Sequence, residues 1–100
     1  MPEEIKYHPK ALAEAFNSAR YYNRQREGLG AEFFDVLDFC VAQLQQEPLR
    51  QKPDEDGVRS WRLRRFPFRV YYALDPNRIR ILAVAHLKRR HGYWRQRVEE

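Results

Sequence analysis

The chain has 100 residues, of which 43% are hydrophobic and 14% aromatic, and its formal net charge is +5. This length suits a single domain over residues 1–100 with a modest core, and the aromatic content excludes a disordered chain. A disulfide framework is excluded because Cys40 is the only cysteine, and a membrane-spanning helix is excluded because no apolar run approaches about 18 residues.

The N-terminal segment predicts a short strand followed by a helix. Residues 4–8 alternate polar and apolar side chains, which is typical of a half-buried strand, and Pro9 ends it. Apolar residues then recur at spacings of three and four up to about Arg26, so we expect an amphipathic helix. Its expected buried stripe is Leu12, Ala15, Phe16, Ala19 and Tyr22. The start of the chain lacks the basic and apolar regions of a signal peptide, so we expect a cytoplasmic protein.

A second helix is predicted over residues 31–46. Two glycines, Gly28 and Gly30, indicate a tight reversal after the first helix, and Pro48 closes the second. The two helices therefore form an antiparallel hairpin. The expected core stripe of the second helix is Phe33, Leu37, Cys40, Val41 and Leu44. We interpret Cys40 as a small core residue and not as a nucleophile.

After a polar loop over residues 48–57, the apolar period changes to two and predicts three strands. They are expected over residues 58–65, 68–74 and 78–86, separated by a bend at Pro67 and a turn around Pro76. In the first of these, Trp61 and Leu63 should share one face and Arg62 and Arg64 the other. In the last, one face should hold Ile79, Ile81, Ala83 and Ala85, and the other Leu82 and Val84.

This order of elements predicts an α+β fold of β-α-α-β-β-β type. The three consecutive strands should form an antiparallel meander, with the first strand pairing at one edge. The helical hairpin should pack on one face of this small sheet. The last strand is apolar on both faces, so it should lie centrally, and the tail after it is expected to form a short helix.

Two common kinds of site are not indicated. His8, His86 and His91 lack the spacing of a metal-binding cluster, so we expect no metal and no other cofactor. The segment around Gly28 and Gly30 lacks the lysine and hydroxyl residues of a phosphate-binding loop.

The positive charge is concentrated in the second half of the chain. Residues 1–47 hold five Lys and Arg against eight Asp and Glu, a net charge of −3, whereas residues 48–100 hold fourteen against six, a net charge of +8. Arg62 and Arg64 should leave the same strand face, and the following hairpin can bring Arg69 beside them. Guanidinium groups suit phosphate, so this face is either an anion-binding surface or a solvated basic surface.

The C-terminal tail interleaves basic and aromatic residues, a pattern that suits nucleic acid. The residues predicted to contact a target there are Lys88, Arg89, Arg90, Trp94 and Arg95. The same pattern would suit an acidic protein partner, with Tyr93 and Trp94 as interface anchors. Alternatively, Tyr93 and Trp94 fold back onto the core and leave only the basic side chains exposed.

Three motifs, taken in order, resemble the RelE/ParE toxin superfamily. They are residues 19–22 with 28–33, residues 61–72, and residues 81–86 followed by 89–94. The resemblance implies the β-α-α-β-β-β fold and the toxin of a bacterial type II toxin–antitoxin system. It also implies a cognate antitoxin that neutralises the toxin and that alone connects it to operator DNA.

The resemblance is closer to the ParE-like branch, which includes plasmid-stabilisation toxins. The segments that resemble this branch are the helical hairpin around residues 28–30, residues 66–72 and residues 86–94. Members of this branch poison DNA gyrase and need no catalytic residues. On this interpretation the basic tail and the arginine face contact gyrase or its bound DNA, or hold the antitoxin.

RelE-like members instead cleave messenger RNA in the ribosome. This alternative would assign Arg62, Arg64 and Arg69 to stabilisation of the transition state, and Tyr93 to orienting or deprotonating the ribose 2′-hydroxyl. Where some RelE-like nucleases have an arginine after the last strand, this chain has Leu87, or the arginine is displaced to Arg89, and this departure counts against cleavage. A third alternative is a relative that has lost toxicity and only binds the antitoxin.

Overall fold

A computed structural model describes residues 4–100 as four strands, two α-helices and one short 3₁₀ helix. The elements are β1 (Glu4–Tyr7), α1 (Pro9–Gln25), α2 (Leu29–Gln46), β2 (Arg59–Arg62), β3 (Phe68–Asp75), β4 (Arg78–His86) and the terminal 3₁₀ helix (Arg95–Glu99). Their order and type confirm the predicted α+β fold. No helix in this part of the chain is both long and apolar enough to cross a bilayer.

The strands form one mixed sheet in the order β1-β4-β3-β2. The last three strands make the predicted antiparallel meander, and β1 pairs in parallel with β4 at one edge. Strand β4 is therefore central, as its apolar faces predict. Pairing with β1 ends where Tyr7 lies beside Ile81, so the second half of β4 has no strand neighbour on that side within residues 4–100.

Helix α1 begins at Pro9, in the first turn, where proline's missing N–H is not needed. The residue before it, His8, caps the helix because its Nδ1 accepts a hydrogen bond from the backbone N–H of Lys10 at 3.0 Å. The Nε2 of His8 lies 2.6 Å from Oε1 of Glu100, so the same ring joins the start of α1 to the C-terminal segment.

The predicted buried stripe of α1 is partly wrong. The buried positions are Ala11, Ala15 and Ala19, whereas Leu12 and Phe16 are 43% and 51% exposed. The short alanine side chains let α1 approach β4 and α2 closely, which turns the neighbouring large residues outward. Both stripes have helical spacing, so periodicity alone did not separate them.

The reversal between the helices depends on glycine at two positions. Gly28 caps α2 with a φ of +88°, a left-handed conformation that favours glycine. Gly30 lies inside α2 against α1, where an added Cβ would sit 2.5 Å from the carbonyl oxygen of Ala19. The predicted buried stripe of α2 is confirmed throughout: Phe33, Leu37, Cys40, Val41 and Leu44 are all buried.

Strand β2 is shorter than the predicted strand over residues 58–65. It ends at Arg62, and Arg65 has a φ of +68°, which is incompatible with an extended strand. Trp61 and Leu63 are buried, as predicted from their alternation. Because Arg64 lies beyond the strand, period-two alternation no longer fixes the direction of its side chain.

Strand β4 contains a bulge at Leu82. Tyr71 of β3 lies opposite Ala83, but the next residue, Tyr72, lies opposite Ile81. Leu82 is thus an extra residue in β4, and such an insertion reverses the alternation of the residues that follow it.

The bulge corrects the predicted faces of β4. The residues that pack on the helix side are Ile79, Ile81 and Val84. Those on the opposite side, called the outer face here, are Leu82, Ala83 and Ala85. The sequence prediction was therefore wrong for Ala83, Val84 and Ala85, because a strict period of two does not allow for an inserted residue.

The C-terminal segment covers part of the outer face. Trp94 is fully buried and packs in a second apolar cluster with Leu82, Ala83 and Ala85. Its ring lies 4.7 Å from that of Tyr71, measured between centroids. The tail therefore folds back onto the sheet, and its last turn is the terminal 3₁₀ helix.

Candidate functional site

Arg62 and Arg69 are direct neighbours in the sheet. The β2–β3 register pairs them, as the hairpin predicts, and the adjacent pair of Trp61 and Val70 is buried on the helix side. Their backbones therefore direct both arginines away from the helices. Opposed like charges are unfavourable in a strand pair unless each finds separate partners.

The two guanidinium groups do find separate partners. Nη1 of Arg62 donates to the carbonyl oxygens of Leu63 and Phe66, at 2.6 and 2.8 Å. Nη1 of Arg69 donates to Oγ of Ser60 at 3.2 Å. Arg62 is thus bound to the loop after β2, and Arg69 stays over the outer face.

Arg64 does not lie on the face predicted for it. Its Cζ lies 5.4 Å from the ring centroid of Phe39 on α2. Together with Arg62 and Arg65, it lines a groove of about 300 Å³ that also includes Asp35. The correction follows from the early end of β2, which lets the chain turn toward the helices. Arg62, Arg64 and Arg69, which the sequence placed on one face, therefore do not all converge on one point.

A different set of cations meets on the outer face, in what we call the basic cleft. It has a volume of about 120 Å³ and is lined by Arg69, Tyr71, Ala85, His86, Leu87, Arg89, Arg90, His91, Tyr93 and Trp94. Strand β3 supplies Arg69, and the loop after β4 supplies Arg89 and Arg90. The lining contains three arginines and two histidines but no carboxylate.

The ring of Tyr93 holds one of these cations, Arg89, and also contacts Arg97, which lies outside the cleft lining. The Cζ of Arg89 lies 3.8 Å from the ring centroid of Tyr93, and the Cζ of Arg97 lies 5.1 Å from the same centroid. Cation–π contacts of this kind fix a guanidinium group without neutralising its charge. His91 packs its ring edge-on against Trp94 at 5.8 Å.

The hydroxyl of Tyr93 is occupied. It donates a hydrogen bond of 2.8 Å to Oε2 of Glu14 on α1. Burial raises the pKa of Tyr93, and this hydrogen bond to the Glu14 carboxylate raises it further. A tyrosine that is held in its protonated form is poorly suited to act as the general base that a RelE-like mechanism would require.

The other predicted tail residues have different surroundings. Arg95 forms an ion pair with Asp56 and stacks on Trp94, so its charge is already compensated. Lys88 is exposed, and its backbone N–H donates to Nδ1 of His86 at 3.0 Å. Trp94, which the sequence placed among the target-binding residues, has no exposed surface and so does not reach a partner on the protein surface.

Sequence reasoning missed Glu14 and Arg97. Arg97 is 7% exposed, and Nη2 of this residue lies 3.0 Å from Oε2 of Glu14. One signal was present in the sequence, because Glu14 lies next to Ala15 and three residues after Ala11 on the buried side of α1. A charged residue at such a position requires a partner, although the sequence does not identify which one.

The site is suited to binding an anion. It offers permanently charged guanidinium groups and ring N–H donors on a preformed surface. Among residues 4–100, no group of three or more His, Cys, Asp or Glu side chains could hold a metal ion.

Comparisons with known proteins give a family and a fold. The family model described as the ParE toxin of the type II toxin–antitoxin system parDE matches residues 5–91. Seven chains of solved structures match, among them one described as the chromosomal ParDE toxin–antitoxin system from P. aeruginosa. That match has a TM-score of 0.75 and 24% identity, and it covers 84% of this chain and 95% of the other, which shows a common fold. No curated protein matches the sequence.

Proposed function

This chain belongs to the family of ParE toxins of type II toxin–antitoxin systems, and from this premise we propose that it stops growth by acting on DNA gyrase and that a cognate antitoxin neutralises it. The observation that carries the proposal is the family match over residues 5–91. Gyrase works on bound DNA, so a toxin directed at it meets a polyanion. The net charge of +8 over residues 48–100 suits such a target.

The arrangement of the outer face supports gyrase over messenger RNA as the target. A RelE-like nuclease would use Arg62, Arg64 and Arg69 together with Tyr93. Arg64 lies against Phe39 of α2, and the Tyr93 hydroxyl is bound to Glu14. The residues expected for cleavage are therefore dispersed or already occupied, whereas a gyrase poison needs no catalytic set.

The helical hairpin supports an antitoxin partner. Leu12 and Phe16 are large apolar side chains exposed next to each other on α1, and the Phe16 ring contacts that of Phe34 on α2 at 5.1 Å. Exposed apolar patches of this kind are typical of protein interfaces. An antitoxin with an apolar segment for this patch and acidic residues for the basic face would neutralise the toxin. Any contact with operator DNA would then be made through the antitoxin.

The test is a supercoiling assay with purified protein, gyrase and relaxed plasmid. We expect inhibition that rises with toxin concentration and that is reversed by an equimolar amount of the antitoxin encoded beside the toxin. Toe-printing of one message during induction, run in parallel, reports ribosome-dependent cleavage. Cut messages with normal supercoiling would replace the proposal with the RelE-like alternative. Normal growth during induction, together with antitoxin binding, would identify a relative without toxicity.

A further inference from the structure

Arg95 lies directly beside the exposed loop that follows β4. This loop, residues 87–92, is called the basic loop here, and its cations are Lys88, Arg89 and Arg90. The backbone N–H of Arg95 donates to the carbonyl oxygen of Gly92 at 3.0 Å. Gly92 has a φ of +83°, and a Cβ added there would lie 2.7 Å from Nε of Arg95. The Arg95 side chain therefore crosses over the end of the basic loop.

An acidic turn from a different part of the chain binds Arg95. This acidic turn precedes β2 and consists of Asp54, Glu55 and Asp56. Nη1 of Arg95 forms an ion pair with Oδ2 of Asp56 and lies 3.9 Å from Oδ2 of Asp54. The three cations of the basic loop form no ion pair within residues 4–100. The protein thus offsets the charge of Arg95 but not that of the loop beside it.

Local hydrogen bonds shape the acidic turn without Arg95. Oδ1 of Asp54 accepts the backbone N–H groups of Asp56 and Val58, at 2.8 and 2.9 Å. The backbone N–H of Gly57 donates to the Asp54 carbonyl oxygen at 3.0 Å, and Gly57 has a φ of +79°. Aspartate side chains commonly close turns in this way. The carboxylate of Asp56 takes part in none of these bonds, so the turn does not need the ion pair to form.

The ion pair is exposed, which makes it exchangeable. The side chains of Arg95 and Asp56 are 41% and 47% exposed. Exposed ion pairs contribute little to stability, because water and salt screen them. An external anion that reaches Arg95 therefore displaces a carboxylate that is bound weakly but is always present at short range. A group held in this way competes at a high effective concentration.

We propose that Asp56 is an autoinhibitory residue, which holds Arg95 and so keeps it from joining the basic loop in binding a nucleic acid strand. When Asp56 loses its charge, Arg95 is released beside Gly92 and contacts one further phosphate of the strand. The inference rests on the proposed function, because DNA held by gyrase is the expected polyanion. The sequence placed Arg95 among the target-binding residues, whereas this inference places it there only after release.

The experiment measures binding of the full chain to a fluorescent oligothymidylate by anisotropy at several salt concentrations. The logarithm of the association constant falls linearly with the logarithm of the salt concentration, and each neutralised phosphate of a single strand adds about 0.7 to the slope. Asp56→Asn keeps the backbone bonds of the acidic turn and removes the charge. We expect this variant to bind about fivefold more tightly at low salt and to steepen the slope by about 0.7, as one further phosphate contact requires.

Glu55→Gln is the matched control. It removes an equal charge from the same turn, but Glu55 is exposed and forms no ion pair within residues 4–100. It should tighten binding less than about twofold and leave the slope unchanged. Arg95→Gln completes a double-mutant cycle, because it should have little effect alone but should abolish the gain in the Asp56→Asn background. All the replaced side chains are exposed, so the thermal midpoints should stay close to that of the parent.

Four outcomes would overturn the proposal. Equal gains in Asp56→Asn and Glu55→Gln would reduce the effect to net charge, and weaker binding by Asp56→Asn would mean that the ion pair positions the basic loop. A gain that persists without Arg95 would assign it to another cation, and no binding by either the parent or Asp56→Asn would remove the contact altogether. None of these outcomes depends on gyrase. The expected gain with normal supercoiling would contradict only the proposed function, and inhibition of gyrase without the gain would contradict only the role of Asp56.

Discussion

Glu14 and Arg97 lie 83 positions apart in the sequence and form a two-contact ion pair on the unpaired edge of β4. The two Nη atoms of Arg97 lie 3.1 and 3.0 Å from the Glu14 oxygens. Glu14 also accepts the backbone N–H of Val84, and Arg97 donates to the carbonyl oxygen of Leu82, each at 3.0 Å. Two side chains thus satisfy backbone groups on the side of β4 where β1 has ended.

The first prediction concerns the loss of one member of this pair. In Glu14→Ala, buried Arg97 keeps its charge and loses the one carboxylate partner that it has within residues 4–100, so we expect the free energy of unfolding to fall by about 3–5 kcal/mol. Urea unfolding followed by circular dichroism measures the change. Glu27→Ala, at an exposed position before α2, is the matched control and should stay within about 0.5 kcal/mol of the parent. Equal unfolding midpoints for the two variants would contradict the assigned role of Glu14.

The second prediction concerns the contact between the helices at Gly30. In Gly30→Ala, the new methyl group would meet the Ala19 carbonyl oxygen, which is backbone and does not move aside easily. We expect a loss of about 1–3 kcal/mol of unfolding free energy, although alanine has the higher helix propensity. Gly28→Asn is the control, since nothing lies within 4 Å of a Cβ there and asparagine tolerates a positive φ. If Gly30→Ala were the more stable variant, the close approach of the helices would not exist.

The third prediction concerns the thiol of Cys40. This residue is 2% exposed in the core stripe of α2, and burial raises its pKa to about 12. The reactive species is the thiolate, so we expect the native protein to react with an aromatic disulfide reagent far more slowly than the urea-unfolded chain. The rate should follow global opening and therefore rise in parallel with destabilising variants such as Gly30→Ala. Fast labelling of the native parent would show that the thiol is accessible.

Much of the fold could be predicted from local patterns. The helical hairpin follows from two runs of helical spacing joined by Gly28 and Gly30, and the meander follows from period-two segments separated by turn residues. Local patterns could not decide which of two helix stripes with the same spacing is buried. They also could not show where the alternation of side chains along a strand reverses. Leu12 and Phe16 have the same spacing as the alanines that are buried instead. The extra residue at Leu82 shifts the faces of β4, and nothing in the local sequence marks it.

The candidate site was predictable only in part, because its members come from distant segments. Pairing of Arg62 with Arg69 follows from hairpin geometry, and the structure confirms it. The direction of Arg64 depends on where β2 ends, and the burial of Trp94 depends on the C-terminal segment finding the outer face. Both features depend on tertiary packing, which the spacing of residues in the sequence does not reveal.

The fourth prediction concerns stability at alkaline pH. Burial raises the pKa of Tyr7 and of Tyr72 to about 12, with a smaller contribution to Tyr7 from the charge of Asp38. In the unfolded chain a tyrosine titrates near 10. Between about pH 10 and about pH 12 the unfolded chain therefore releases phenolic protons that the native state keeps. The native state then binds more protons, and the free energy of unfolding falls as the pH rises. Below about pH 10 both states are protonated and this contribution to stability is fully present.

The measurement is the urea midpoint at about pH 9 and about pH 11, together with the ultraviolet absorbance of tyrosinate. We expect part of the tyrosinate signal to appear only as the protein unfolds. Tyr72→Phe loses the hydrogen bond from the Tyr72 hydroxyl to the Pro48 carbonyl oxygen, so its stability should be lower at both pH values. The informative quantity is the difference between the two midpoints, which should be smaller in Tyr72→Phe because one titrating group is gone. An unchanged difference would mean that Tyr72 ionises equally in both states, and hence that its burial in the core does not shield it.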